Sequence, residues 1–181
     1  TACRQLRAWQ DNAPTRHLVL AVNVSARQFH QPGFVFAVRQ ILERSGADPS
    51  RLKLELTESV IIDDIEDTIE KMQELKSMGV GFAMDDFGTG YSSLSYLRQL
   101  PLEQLKIDRS FIQDLDGEGG DAEIVRSIIA MAQALGLDVV AEGVEHEAQH
   151  RFLSSNECRA YQGFLFGQPV PANVFETLFE K

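Results

Sequence analysis

One unit recurs along the chain. An amphipathic helix stops at a glycine, a short apolar strand follows, and a polar or charged residue stands where the strand ends. The spacing predicts a helix from Phe34 to Arg44 with Gly46 after it, then a strand from Leu52 to Leu56 with Glu55 and Glu58 at its end. Ile65, Ile69, Met72 and Leu75 recur at helical intervals over Ile65 to Met78, and Gly79 is placed as the C-terminal cap. Val80 to Met84 is the strand that follows, ended by Asp85-Asp86. The unit repeats as a helix from Ala122 to Leu135, Gly136, a strand from Leu137 to Ala141, and Glu142. Three more strands fit: Leu18 to Val24 around Asn23 and Ser25, Leu102 to Ile107 with Lys106 and Asp108, and Tyr161 to Phe166 with Gln162.

Strands separated by helices imply parallel pairing under helical cover. A doubly wound sheet and a (β/α) barrel both answer to that description. In an open sheet only the strands beside the topological switch point offer chemistry, whereas in a barrel the ends of many strands converge on one mouth. All six predicted strands carry a polar residue near that end, which favours an α/β fold of the TIM-barrel kind. Six parallel strands do not close an eight-stranded barrel, so the barrel is expected to be incomplete with its first two strands missing. The opening helix, Gln5 to Trp9, suits a chain entered partway round, and Thr1 is not a natural start. Residues 1–181 are expected to form a single partial barrel domain, with the acidic, glycine-rich stretch from Asp114 to Asp121 as a loop.

Seventeen Lys and Arg against 27 Asp and Glu leave a formal charge of −10, which argues against long nucleic acid as a partner. No apolar run is long enough for a membrane segment, and the expected location is cytoplasmic. Cys3 and Cys158 stand in unlike contexts and are expected to be free thiols.

The strand ends gather Asn23, Glu55, Asp85, Asp86, Lys106, Glu142 and Gln162. Carboxylates and amides are hard oxygen donors that suit Mg²⁺ or Mn²⁺. His146 and His150 share a helical face but lack a HExxH context, so zinc is not expected. Acids crowded in one mouth repel one another unless cations intervene. Adjacent aspartates can serve two cations, about 3.5–4 Å apart, which together clamp an in-line phosphoryl displacement. Lys106 would offset charge on the phosphate and Glu142 would take a proton. Asp86-Phe87-Gly88 lacks the other kinase motifs, and Gly88-Thr89-Gly90 lacks the third glycine of a dinucleotide fingerprint, where Ser93 stands. A glycine-rich gate over the site remains the reading of that loop.

Asn23-Val24-Ser25, Glu55-Leu56-Thr57-Glu58-Ser59, Asp85 through Leu94, Lys106-Ile107-Asp108, Ala141-Glu142-Gly143-Val144-Glu145 and Tyr161-Gln162-Gly163 occur in that order. Over the whole chain this resembles the EAL domain of bacterial cyclic di-GMP phosphodiesterases. The resemblance implies a (β/α) barrel with one antiparallel strand, and metal-dependent hydrolysis of cyclic di-GMP to pGpG. It implies that Asn23, Glu55 and Asp85 hold one metal, with Asp85 bridging to a second held partly by Asp86. It places Lys106 by the attacking water and phosphate, and Glu142 as a second-metal ligand or general base. Gln162 would support the water and metal network, and Glu58 would anchor the loop from Phe87 to Leu94, which couples dimerisation to activity. Asp108 and Glu145 would contact substrate. A homodimer and an upstream sensory or GGDEF-type domain are implied partners, with the chain as the cytoplasmic part of a membrane-anchored sensor if the parent is anchored. The Glu-Ala-Leu motif itself is absent, which is read as truncation because every downstream ligand is present. The alternatives are a cyclic di-GMP-binding regulatory module that does not hydrolyse, a fragment inactive for want of that glutamate, and a regulatory domain acting only through dimer contacts.

Overall fold

A computed structural model describes residues 1–90, 94–115 and 121–179. Six strands form one sheet: β1 Leu20–Asn23, β2 Leu52–Thr57, β3 Gly81–Phe87, β4 Gln104–Ile107, β5 Asp138–Glu142 and β6 Ala160–Gln162. They pair in sequence order, and all five pairings are parallel. Among the described strands the order never reverses, which leaves no switch point, and the sheet is a curled half-barrel and not a doubly wound layer. The antiparallel strand that the resemblance implies does not occur among the described strands.

The helices are α1 Ala2–Gln10, α2 Ala26–Phe29, α3 Phe34–Ser45, α4 Glu58–Asp63, α5 Ile65–Ser77, α6 Leu94–Leu97, α7 Arg109–Gln113, α8 Asp121–Ala134, α9 Glu147–Ser155 and α10 Ala172–Glu176. The long ones bury one stripe against the sheet, as Met72 and Leu75 of α5 and Val125, Ile129 and Ala132 of α8 do. Gly79 shows how a helix turns into a strand. It takes φ +99° and donates to Lys76 O at 2.8 Å, while Val80 N reaches back to Leu75 O. A side chain at that φ would be strained.

The bounds of all six expected strands shift by at least one residue, most tellingly in β3, β6 and β4. β3 does not end at Met84 but runs through Asp85-Asp86 to Phe87. β6 is only three residues long, because the chain after Gly163 folds back with Phe166 N on Gly163 O. β4 starts at Gln104, not Leu102, although Glu103 N already donates to Phe82 O at 3.0 Å. Short helices α2, α4 and α7 follow strand ends where no helix was expected, each too short for a periodicity to register. Part of the loop expected from Asp114 to Asp121 lies outside the described residues, as do residues 91–93 of the loop after Asp86.

The carboxyl-terminal helix returns to the first. Gln5 Nε2 and Trp9 Nε1 both donate to Glu176 Oε1, at 2.9 and 2.7 Å, and the Trp9 and Phe175 rings lie 5.7 Å apart. Cys3 and Cys158 are free and buried. No helix among the described residues is long and apolar enough to cross a membrane.

Candidate active site

Inward positions of four adjacent strands meet at one ammonium group. Lys106 Nζ of β4 lies 3.0 Å from Glu55 Oε1 of β2, 3.0 Å from Asp85 Oδ1 of β3 and 2.7 Å from Glu142 Oε1 of β5. A lysine has three N–H donors, and here each faces one carboxylate. Lys106 is 5% exposed, and Glu55 and Asp85 are 8% exposed, so water screens the cluster little. Burial alone would lower the Lys106 pKa, but the bonds from Glu142, Asp85 and Glu55 outweigh it and hold the ammonium well above the ordinary lysine range. Glu142 is pushed up all the same. Burial leads, and repulsion from Asp85 and Glu55 adds to it against the pull of Lys106. Three acids share one cation, so Lys106 cannot compensate each of them in full.

Asp86 should point away from this cluster, since successive strand residues face opposite sides of a sheet. It does not. Met84 pairs with Leu105 and Phe87 with Ile107, so β3 spends one residue more than β4 over the same stretch. Asp86 occupies that bulge with φ +54°, a left-handed value that aspartate tolerates better than most residues. The bulge turns both aspartates to the same side. Oxygens of Asp85, Asp86 and Glu142 lie within 4.8 Å of one another. Burial first, then the charges of Asp85 and Asp108, push the Asp86 carboxyl up.

The other expected site residues divide. Asn23 stands beside Glu55 in the β1–β2 register and Gln162 beside Glu142 in the β5–β6 register, both exposed at the rim of the cluster. Asp108, expected to contact substrate, is half-buried. Its Oδ1 accepts from Ser110 N at 2.9 Å and from Ser110 Oγ, and its charge lies near enough to Asp86 to repel it. Burial raises the Asp108 pKa, but the Ser110 bonds win and hold it low. Glu145 is exposed and outside the cluster, with its backbone N–H given to Gln149. Glu58, expected to anchor the glycine-rich loop, is 3% exposed and accepts from Gly90 N at 3.1 Å. Two residues passed over in the sequence belong to the framework: Ser110, which donates to the α7 cap Asp108, and Gln149, buried in α9. The signal for Gln149 was its place three residues after His146, the spacing of a capping box.

A cavity of about 490 Å³ opens at the opposite end of the sheet, by Gln104, Asp138 and Ala160 at the starts of β4, β5 and β6. It holds none of the convergent acids, and chemistry in such folds sits at the strand C-terminal ends. The acid cluster is therefore the better candidate. Its donors are all hard oxygens and outnumber the one ammonium among them, which fits divalent cations.

The family model described as "EAL domain" matches residues 1–169. The bifunctional diguanylate cyclase/cyclic di-GMP phosphodiesterase MucR of Pseudomonas aeruginosa is 49% identical over 171 residues, which are 94% of this chain and 25% of MucR. The cyclic di-GMP phosphodiesterase NbdA of the same organism is 47% identical over 175 residues, 97% of this chain and 22% of NbdA. The chain thus spans about a quarter of the length of these relatives. A solved MucR phosphodiesterase in complex with c-di-GMP superposes with a TM-score of 0.92 at 48% identity, covering 96% of this chain and 70% of that one. Klebsiella pneumoniae BlrP1, solved with manganese and cyclic di-GMP, superposes with a TM-score of 0.79 at 32% identity, covering 90% of this chain and 42% of that one.

Proposed function

The chain belongs to the EAL domain family, and on that premise we propose that it hydrolyses cyclic di-GMP to pGpG with two divalent cations, Mg²⁺ or Mn²⁺. The observation that carries the reading is the convergence of Glu55, Asp85 and Glu142 on Lys106, with Asp86 turned in by the bulge. Asn23, Glu55 and Asp85 would hold one cation, and Asp85 and Asp86 the other, with Glu142 as its further ligand or as the general base. Bound there, the cations would supply a water acidic enough to attack near neutral pH and a clamp for the phosphate oxygens. Lys106 keeps a fixed positive charge beside the phosphate at any physiological pH. Glu142, with its pKa raised, is suited to take the proton of the attacking water. Gln162, beside Glu142, would orient that water, and Asp108 and Glu145 would contact substrate. Glu58 would fix the loop over the site through Gly90. A cavity of about 380 Å³ beside Gln162, walled by Phe164, Val170 and Phe175, offers an apolar seat for a guanine.

The same reading places the chain in a longer cytoplasmic signalling protein. It would act there as a homodimer, and exposed Leu94 and Ile124 beside the loop support an apolar contact.

The test is direct. Incubation with Mn²⁺ and cyclic di-GMP is expected to yield pGpG, and EDTA to stop it. Binding without product would make the chain a sensing module instead. Neither binding nor product would sink the proposal.

Cation binding should also depend steeply on pH. It requires Asp86 and Glu142 ionised, and both are raised above their ordinary values of 3.8 and 4.5. A raised acid favours its protonated form in the folded chain, so protons compete with the cation at higher pH than for ordinary carboxylates. Below those raised values, Mn²⁺ affinity is expected to fall roughly tenfold per pH unit for each proton displaced. Calorimetric titrations from pH 7.5 down to pH 4 check this, and a flat affinity over that whole range would contradict it.

A further inference from the structure

We propose that Gln149 is a positioning residue for this reaction, locking the loop that follows Glu142 to the helix that follows Lys106. The inference rests on the phosphodiesterase reading above. Gln149 is 2% exposed, and a buried amide is stable only where both its ends are matched. Its Oε1 accepts from Glu145 N at 2.8 Å and His146 N at 2.9 Å, which caps the start of α9. Its Nε2 donates to Ile112 O of α7 at 3.0 Å, across 37 residues of sequence.

The first two bonds are local to α9, but the third ties two different strand-end loops together. One loop carries Lys106 at its base and the other carries Glu142, whose side chains meet at 2.7 Å. The same two loops touch again nearer the strands. A Cβ on Gly143 would lie 2.6 Å from Arg109 Cβ, so the backbones already sit as close as they can. The Gly143 contact stops the loops from approaching, and the Gln149 bridge stops them from parting. Together they set the distance between Lys106 and Glu142.

Two variants separate this role from simple capping. Gln149→Glu keeps the acceptor at a helix N-terminus, where a carboxylate caps well, but loses the donor and sets a negative charge against the Ile112 carbonyl. Gln149→Met keeps the volume and loses all three bonds. If Gln149 only caps α9, Q149E behaves as wild type. If it bridges, both variants lose kcat by roughly 10- to 100-fold, the effect of a small misplacement, with KM for cyclic di-GMP moving far less. Mn²⁺ affinity by calorimetry should weaken in both variants, measured on protein that circular dichroism shows to be folded at the assay temperature. Wild-type kcat and Mn²⁺ affinity in Q149E would overturn the proposal. If the wild type binds Mn²⁺ without turnover, the hydrolytic reading fails and the Mn²⁺ affinities alone decide the positioning role. If it does neither, both fall.

Discussion

Lys106→Met is expected to lower the unfolding free energy of the metal-free chain by about 3–5 kcal/mol near pH 7.5, the usual effect of leaving buried charge without its partner, and to abolish turnover. Methionine keeps most of the side-chain volume, so packing changes little. What changes is charge. Glu55, Asp85 and Glu142, each within 3.0 Å of the ammonium, would face one another with no cation between them. The pH dependence tells this apart from a packing defect. In the wild type the folded Lys106 pKa lies above the unfolded one. Its contribution is therefore fully present below about pH 10.4 and is lost only as pH rises through the higher folded value. In the variant Glu142, already raised, loses the pull of the ammonium and takes a proton more readily, so the deficit should shrink as pH falls toward 5. Mn²⁺ should stabilise the variant more than the wild type, because a divalent cation replaces the missing charge. Urea unfolding at pH 5 and 7.5, with and without Mn²⁺, checks each limb. Equal midpoints for the two proteins at pH 7.5 would show that Lys106 is not the charge that holds the cluster.

Much of this site was legible before any geometry. The helix, glycine and strand pattern placed Glu55, Asp85, Lys106 and Glu142 at strand ends, because a strand's polar terminus interrupts an otherwise apolar run. Nothing local marked the bulge. Met84-Asp85-Asp86-Phe87 is as compatible with a strand that ends as with one that gains a residue. Only pairing with Leu105 and Ile107 decides, and that is a tertiary fact. The fate of Asp108 was hidden for a similar reason. Its carboxyl could cap the next helix or meet substrate, and it caps α7 with its charge near Asp86. Gln149 lay in a helix that reads as a solvated surface, and its burial depends on α7 arriving above it. In each case the missing information was the neighbour across the sheet, not the residue's own propensity.

Gly163 shows the same dependence most severely, and Gly163→Ala is expected to destabilise the chain by roughly 3 kcal/mol or more, overpacking plus lost backbone bonds. A Cβ at this position would lie 2.1 Å from Val144 O, 2.3 Å from Val144 N and 2.6 Å from Val144 C. All three are backbone atoms of a fully buried residue, so no side chain can swing aside. The backbones there are also interlocked, with Val144 N on Gln162 O at 3.1 Å and Leu165 N on Val144 O at 3.1 Å. A methyl group must part them and break both bonds, which carries Gln162 away from Glu142. Gly167→Ala is the control. Nothing lies within 4 Å of its added Cβ, so its effect should stay within about 0.5 kcal/mol. The two substitutions are chemically identical and four residues apart. Any general effect of removing a glycine's backbone freedom should therefore appear in both, and only the collision with Val144 in one. Thermal melts of the pair measure the difference, and equal stabilities would mean that β6 is not seated against Val144.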